Sequence, residues 1–131
     1  QTAEYALRAI VFLASHPEAP CTTQQIAQAT HIPAGYLSKV MQSLARGKVV
    51  SSQRGLHGGF TLAKPATGLT ILEVMQAVDP IQRITQCPLG VESGCAELCP
   101  LHRRLDEAIA QVERSFRRTT VAELLPRKAK R

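Results

Sequence analysis

Apolar residues change their period along this chain, and each change marks a new element. Over residues 3–15 (AEYALRAIVFLAS) they surround almost the whole helical wheel, with Tyr5, Ile10, Val11, Phe12 and Leu13 spread around it. A helix of that kind belongs at the centre of a core. Two prolines in the following HPEAP stop it. Thr22 and Thr23 can cap a short helix, TTQQIAQAT, because a threonine hydroxyl accepts from an unpaired N–H of the first turn. HIP then makes a tight turn. A second helix runs over residues 34–46 (AGYLSKVMQSLAR), where Leu37, Val40, Met41 and Leu44 recur at helical spacing and form one buried face. Tyr36, Ser38, Lys39, Gln42 and Ser43 fall largely on the other faces.

Past residue 48 the period shortens. VVSSQ and FTLAK read as strands, and RGLHGG between them supplies the glycines a tight reversal needs. Two short helices joined by a turn, followed at once by a β-hairpin, make a winged helix-turn-helix. Thr70 can cap a further amphipathic helix, ILEVMQAV. The final helix, residues 101–118, carries Leu101, Leu105, Ala108, Ile109, Val112 and Phe116 at steps of about three and four. A long helix with an apolar stripe at the edge of a small domain must cover it. Pairing with a second copy is the expected solution, and packing back on its own domain the alternative.

Charge sharpens this picture. The 131 residues carry a net +6, distributed unevenly. Residues 1–65 hold six bases against two acids, residues 66–126 six against eight, and the tail RKAKR four bases. A basic first half suits a polyanion; a basic tail alone is more often simply solvated. On the second helix, Tyr36, Ser38, Lys39 and Gln42 are candidates for base or phosphate contact, a solvated face being the alternative. Arg54 and His57 lie near the wing tip, where a guanidinium beside glycines can enter a minor groove. No Ser–His–Asp constellation, phosphate loop or HExxH motif occurs, so an enzyme is not expected. No apolar run reaches the ~20 residues of a membrane span. The opening segment lacks the charged head and cleavage site of a secretory leader, so a cytoplasmic location and no membrane partner are expected.

Of four cysteines, Cys21 stands apart, while Cys87, Cys95 and Cys99 crowd into CPLGVESGCAELCPLH with His102. Three thiols and an imidazole so close suit a metal or an iron–sulfur cluster better than disulfide pairing. A metal-free thiol switch and structural zinc are the competing readings, although the C-x7-C gap departs from the short ligand pairs of zinc sites.

These segments, in order, resemble the IscR/NsrR-type regulators of bacteria, often called the Rrf-two family. The resemblance rests on EYALRAIVFLA in the first helix, IPAGYLSKVMQSLARGKVVSSQRG around the second helix of the turn, and GLHGGFTLAKP at the wing. It extends to TILEVMQAVD, the three-cysteine segment and the closing TVAELL. It implies a homodimeric transcription regulator, more often a repressor, binding a near-palindromic double-stranded DNA operator. It further implies a 2Fe-2S or 4Fe-4S cluster on Cys87, Cys95 and Cys99, which are less evenly spaced here than in relatives. His102 matches the fourth ligand of IscR-like members. Glu4 lies where NsrR-like members offer a carboxylate from the partner subunit.

The expected fold is mainly α, a winged helix-turn-helix with a hairpin wing and a long dimerisation helix. The expected organisation is a DNA-binding domain over 1–65, a connecting helix over 66–80, a cluster segment over 81–100, the dimerisation helix over 101–118 and a C-terminal segment over 119–131. The function expected is DNA-binding regulation that senses redox state, nitric oxide or iron–sulfur status. A thiol-redox regulator of the same fold is the alternative.

Overall fold

The computed structural model describes residues 2–56, 58–80 and 100–125. Its elements are α1 (Thr2–Ser15), α2 (Thr23–Thr30), α3 (Ala34–Arg46), β1 (Val50–Gln53), β2 (Gly59–Leu62), α4 (Ile71–Val78) and α5 (Pro100–Arg118). Short 3-10 turns occupy Ala66–Gly68 and Val121–Leu124. This is the winged helix-turn-helix architecture expected from the periodicity.

Local chemistry sets the boundaries. Thr22 accepts from the Gln25 N–H at 3.1 Å while the Gln25 side chain accepts from the Thr22 N–H at 2.8 Å. That reciprocal cap starts α2. His31, at φ 60°, ends it in the left-handed conformation, its N–H donating to the Ala27 carbonyl. Thr70 and Glu73 repeat the box at α4, and Thr120 and Glu123 at the turn after α5.

The core lies between α1, α3 and α4. Helix α3 seats Leu37, Val40, Met41 and Leu44 in it, all buried, as their spacing predicted. Removing one such side chain, as in Leu37→Ala, costs about 2–5 kcal/mol through lost transfer energy and the cavity left behind. Helix α1 contributes Ala6, Ala9, Ile10 and Leu13. The outer face of α1 is nevertheless less enclosed than its apolar sequence suggests. Val11 and Phe12 are only half-buried and, with Leu7, line a shallow groove on its outer face.

The hairpin is antiparallel, with Val50 opposite Leu62, Ser51 opposite Thr61, Ser52 opposite Phe60 and Gln53 opposite Gly59. Val49 is excluded from β1 because its N–H donates to the Leu44 carbonyl at the end of α3 (2.9 Å). Lys64 leaves the β2 direction to reach Glu73 of α4 at 2.5 Å. A third segment braces the wing: the Cys21 N–H donates to Phe60 O (3.1 Å) and the Phe60 N–H to Cys21 O (2.8 Å).

Helix α5 carries the chain away and the following turn brings it back. The Val121 N–H donates to Leu69 O and the Ile71 N–H to Thr119 O, and Val121 is fully buried. Phe116 packs against the core, but Leu101, Leu105 and Val112 stay about two-fifths exposed. Among the described residues, the stripe of α5 is therefore packed on the core only towards its C-terminal end.

Candidate nucleic-acid interface

Burying the apolar face of α3 decides which of its residues face outward. Ala34, Gly35, Tyr36, Lys39, Gln42 and Arg46 are exposed, and Ser38 and Ser43 half-buried. Pro33 precedes the helix without a side-chain cap, so its first N–H groups receive no side-chain acceptor. Lys39 and Gln42 stand three residues apart and so share one face of the helix, suited to phosphate and base-edge contacts.

Tyr36 behaves differently from its neighbours. Its ring meets that of Tyr5 edge to face, centroids 5.2 Å apart at 77°, and its hydroxyl hydrogen-bonds Thr2 Oγ1. Arg8 lies over the Tyr5 ring, 5.5 Å from its centroid, and pairs with Glu4 at 3.6 Å. Tyr36 thus fixes the start of α3 to α1. Periodicity could not reveal this, because the contact joins residues more than thirty positions apart.

Arg54 is exposed at the end of β1, on the connection that links the two strands. His57 lies outside the described residues. Cys21, which braces β2 through Phe60, has its thiol pushed up in pKa first by burial and second by the negative charge of Glu18. A buried thiol kept protonated is a packing group rather than a nucleophile.

One sequence signal strengthens this surface beyond the charge of the first half. Between Glu18 and Glu73 the chain has no Asp or Glu and five Lys or Arg. That stretch includes α2, α3 and the whole wing. A polyanion meets no fixed negative charge there, and the absence of acids is legible in the sequence alone.

Of the residues proposed around a cluster, Cys87, Cys95 and Cys99 lie outside the described residues. His102 sits in the first turn of α5, three positions after Cys99, and is buried. Glu4 is exposed on α1 and engaged by Arg8. Among the described residues no three His, Cys, Asp or Glu side chains converge on one point. No helix among them is long and apolar enough to cross a membrane.

Comparison with known proteins places this arrangement. The model of the Rrf2 family, described as an iron-dependent transcriptional regulator, matches residues 1–127. A protein of Aquifex aeolicus (strain VF5), named as a helix-turn-helix-type transcriptional regulator, is 31% identical over 128 residues, 95% of this chain and 88% of its own. A similarly named protein of Mycobacterium tuberculosis is 36% identical over 90 residues, 67% of this chain and 56% of its own. Among solved structures, CymR, the global cysteine regulator of B. subtilis, superposes with a TM-score of 0.74 at 27% identity, covering 95% of this chain and 92% of that one. IscR of T. potens superposes with a TM-score of 0.77 at 18% identity, covering 95% and 82%; at that identity the likeness concerns the fold. On the match of nearly the whole chain, the protein belongs to the Rrf2 family of transcriptional regulators and carries its DNA-binding fold.

Proposed function

We propose that two copies of this chain form a homodimeric repressor whose DNA affinity is set by an iron–sulfur cluster. The observation that carries the DNA half is the acid-free surface of α3 and the wing, with Lys39, Gln42 and Arg54 exposed on it. Two such surfaces, about 34 Å apart in a dimer, match successive major grooves on one side of a duplex. Ser38 and Gln42 would read base edges, Lys39 would meet phosphate or guanine, and Tyr36 would hold the helix at its angle. Arg54 and His57 would approach the minor groove.

The open stripe of α5 supports the dimer. Leu101, Leu105 and Val112 need a partner, and a second copy supplies one of matching chemistry, including the groove of Leu7, Val11 and Phe12 on α1. The organisation read from the sequence follows: DNA reading over 1–65, a connector over 66–80, the cysteine segment over 81–100, dimerisation over 101–118.

The donor set fits a cluster. Three thiolates in one short segment suit 2Fe-2S or 4Fe-4S iron, and His102 is a buried imidazole in the otherwise exposed first turn of α5, three positions after Cys99. Glu4 of the partner subunit is the competing fourth ligand, and recruiting it would require the Glu4–Arg8 pair to open. When bound, the cluster supplies a centre that oxidants and nitric oxide attack. Cys87, Cys95 and Cys99 would tie the chain ahead of α5 into one conformation, and α5 in turn would set the separation of the two α3 helices.

Purification without oxygen, with iron, acid-labile sulfide and visible absorption measured, tests the sensing half. Matched iron and sulfide in wild type, lost in Cys95→Ala without loss of helical content, is the expected result. Colourless, iron-free protein after reconstitution would refute the cluster and favour the thiol switch. The operator comes from selection out of a random duplex pool. Equal affinity of loaded and stripped protein for the selected duplex, at one salt concentration, would refute the coupling.

A further inference from the structure

We propose that Leu56 is an apolar wedge that the wing presses between base pairs in the minor groove beside the site read by α3; this rests on the DNA-binding reading above. Leu56 is 93% exposed, whereas no other exposed large apolar side chain among the described residues passes 44%. Those others lie on α5, just after it, or, for Tyr36, against α1. Leu56 stands apart from them on the connection between the two strands.

The conformation that holds it there is specified. The Gly58 N–H donates to the Gly55 carbonyl at 3.0 Å and closes a turn with Leu56 at its first corner. Gly55 adopts φ 106°, a conformation a side chain resists, so the glycine sets the direction in which the corner projects. Turn corners ordinarily carry proline or a polar residue that supports the turn itself. Leucine does neither, and it leaves its whole apolar surface in water.

The neighbours identify the occupant. Arg54 is exposed two positions earlier, and Ser51, Ser52 and Gln53 are exposed along β1. No acid occurs between Glu18 and Glu73. A protein partner would need a broader apolar patch than one leucine. A base step accepts a single apolar side chain when a cation alongside grips the phosphates, and Leu is among the residues that proteins insert there.

The test uses the full-length dimer and the selected duplex, with 2-aminopurine placed in turn at each flanking step. Wild type should raise the fluorescence several-fold at one step per half-site, reporting unstacking. Leu56→Ala should abolish that signal and weaken binding about ten-fold, the scale of withdrawing a buried leucine, with no change in salt slope because no phosphate contact is lost. Leu56→Met should retain most of both. Arg54→Ala should instead reduce the slope by about one. Leu56→Ala binding as tightly as wild type, or wild type leaving every step stacked, would overturn the wedge while the DNA-binding reading stands. Wild type showing no salt-dependent binding would overturn both, and the wild-type titration alone distinguishes that case.

Discussion

Replacing Gly59 by alanine tests how the wing is attached to the body. Gly59 opens β2 at φ 143°, and a Cβ there would sit 2.6 Å from the carbonyl carbon and oxygen of Cys21 and 2.9 Å from its nitrogen. Those atoms are backbone and cannot rotate away. They also belong to the segment that exchanges two hydrogen bonds with Phe60. The substitution therefore imposes a disfavoured backbone conformation, worth about 1–3 kcal/mol, and forces apart two hydrogen bonds worth about 1 kcal/mol each. A loss of about 3–5 kcal/mol follows, a large fraction of the stability of a small domain. Urea unfolding at one fixed protein concentration, followed by far-ultraviolet circular dichroism, measures it; the fixed concentration matters because the proposed dimerisation would contribute to apparent stability. Gly68→Ala is the control, since a Cβ there meets open space, and should stay within about 0.5 kcal/mol of wild type. A Gly59→Ala loss below about 1 kcal/mol would refute the close approach of Cys21 to the wing.

Three further outcomes follow from the same structure. Burial pushes the Glu73 carboxyl up, but hydrogen bonds from Lys64 and Thr70 and the charge of Lys64 outweigh it, so its pKa lies below the ordinary value. Its stabilising contribution is then fully present above the ordinary carboxylate range and lost as pH falls through the folded value; the stability gap between wild type and Glu73→Gln should be open at neutral pH and close on acidification, as urea titrations would record. Leu105→Glu and Val112→Glu place charge on the exposed stripe of α5 and should shift sedimentation equilibrium towards monomer with helical content intact; unchanged dimers would assign the stripe another role. Lys39→Ala should weaken binding to every duplex alike and lower the salt slope by about one in anisotropy titrations, whereas Gln42→Ala should lose selectivity for the selected sequence and keep the slope.

Elements with local causes were legible in the sequence. Helix α3 begins and ends where its period predicted, because Leu37, Val40, Met41 and Leu44 leave one register that buries all four. Thr22 and Thr70 cap the helices they were expected to cap. Less legible was α1, where apolar residues all round implied full enclosure, yet Val11 and Phe12 remain half-buried. How far a helix is enclosed depends on which neighbours reach it, and no local pattern holds that information. Tyr36 read as a member of a polar face, and its bond to Thr2 and its edge-to-face contact with Tyr5 arise only when α1 and α3 come together.

Sequence by itself determined the order of elements, the buried face of the reading helix and the acid-free, basic surface, since each follows from spacing or charge among residues close along the chain. It also placed three thiols and a histidine ahead of and within the first turn of the last helix. Tertiary structure decided the rest: that Cys21 and Gly59 meet and pin the wing, that Lys64 reaches Glu73, that His102 is buried while Glu4 is held by Arg8, and that Leu56 projects unshielded. Each of these features other than the Glu4–Arg8 pair, which is spaced one helical turn apart, depends on segments distant in sequence being brought together or on the body failing to cover a side chain. Packing in three dimensions is what settles both.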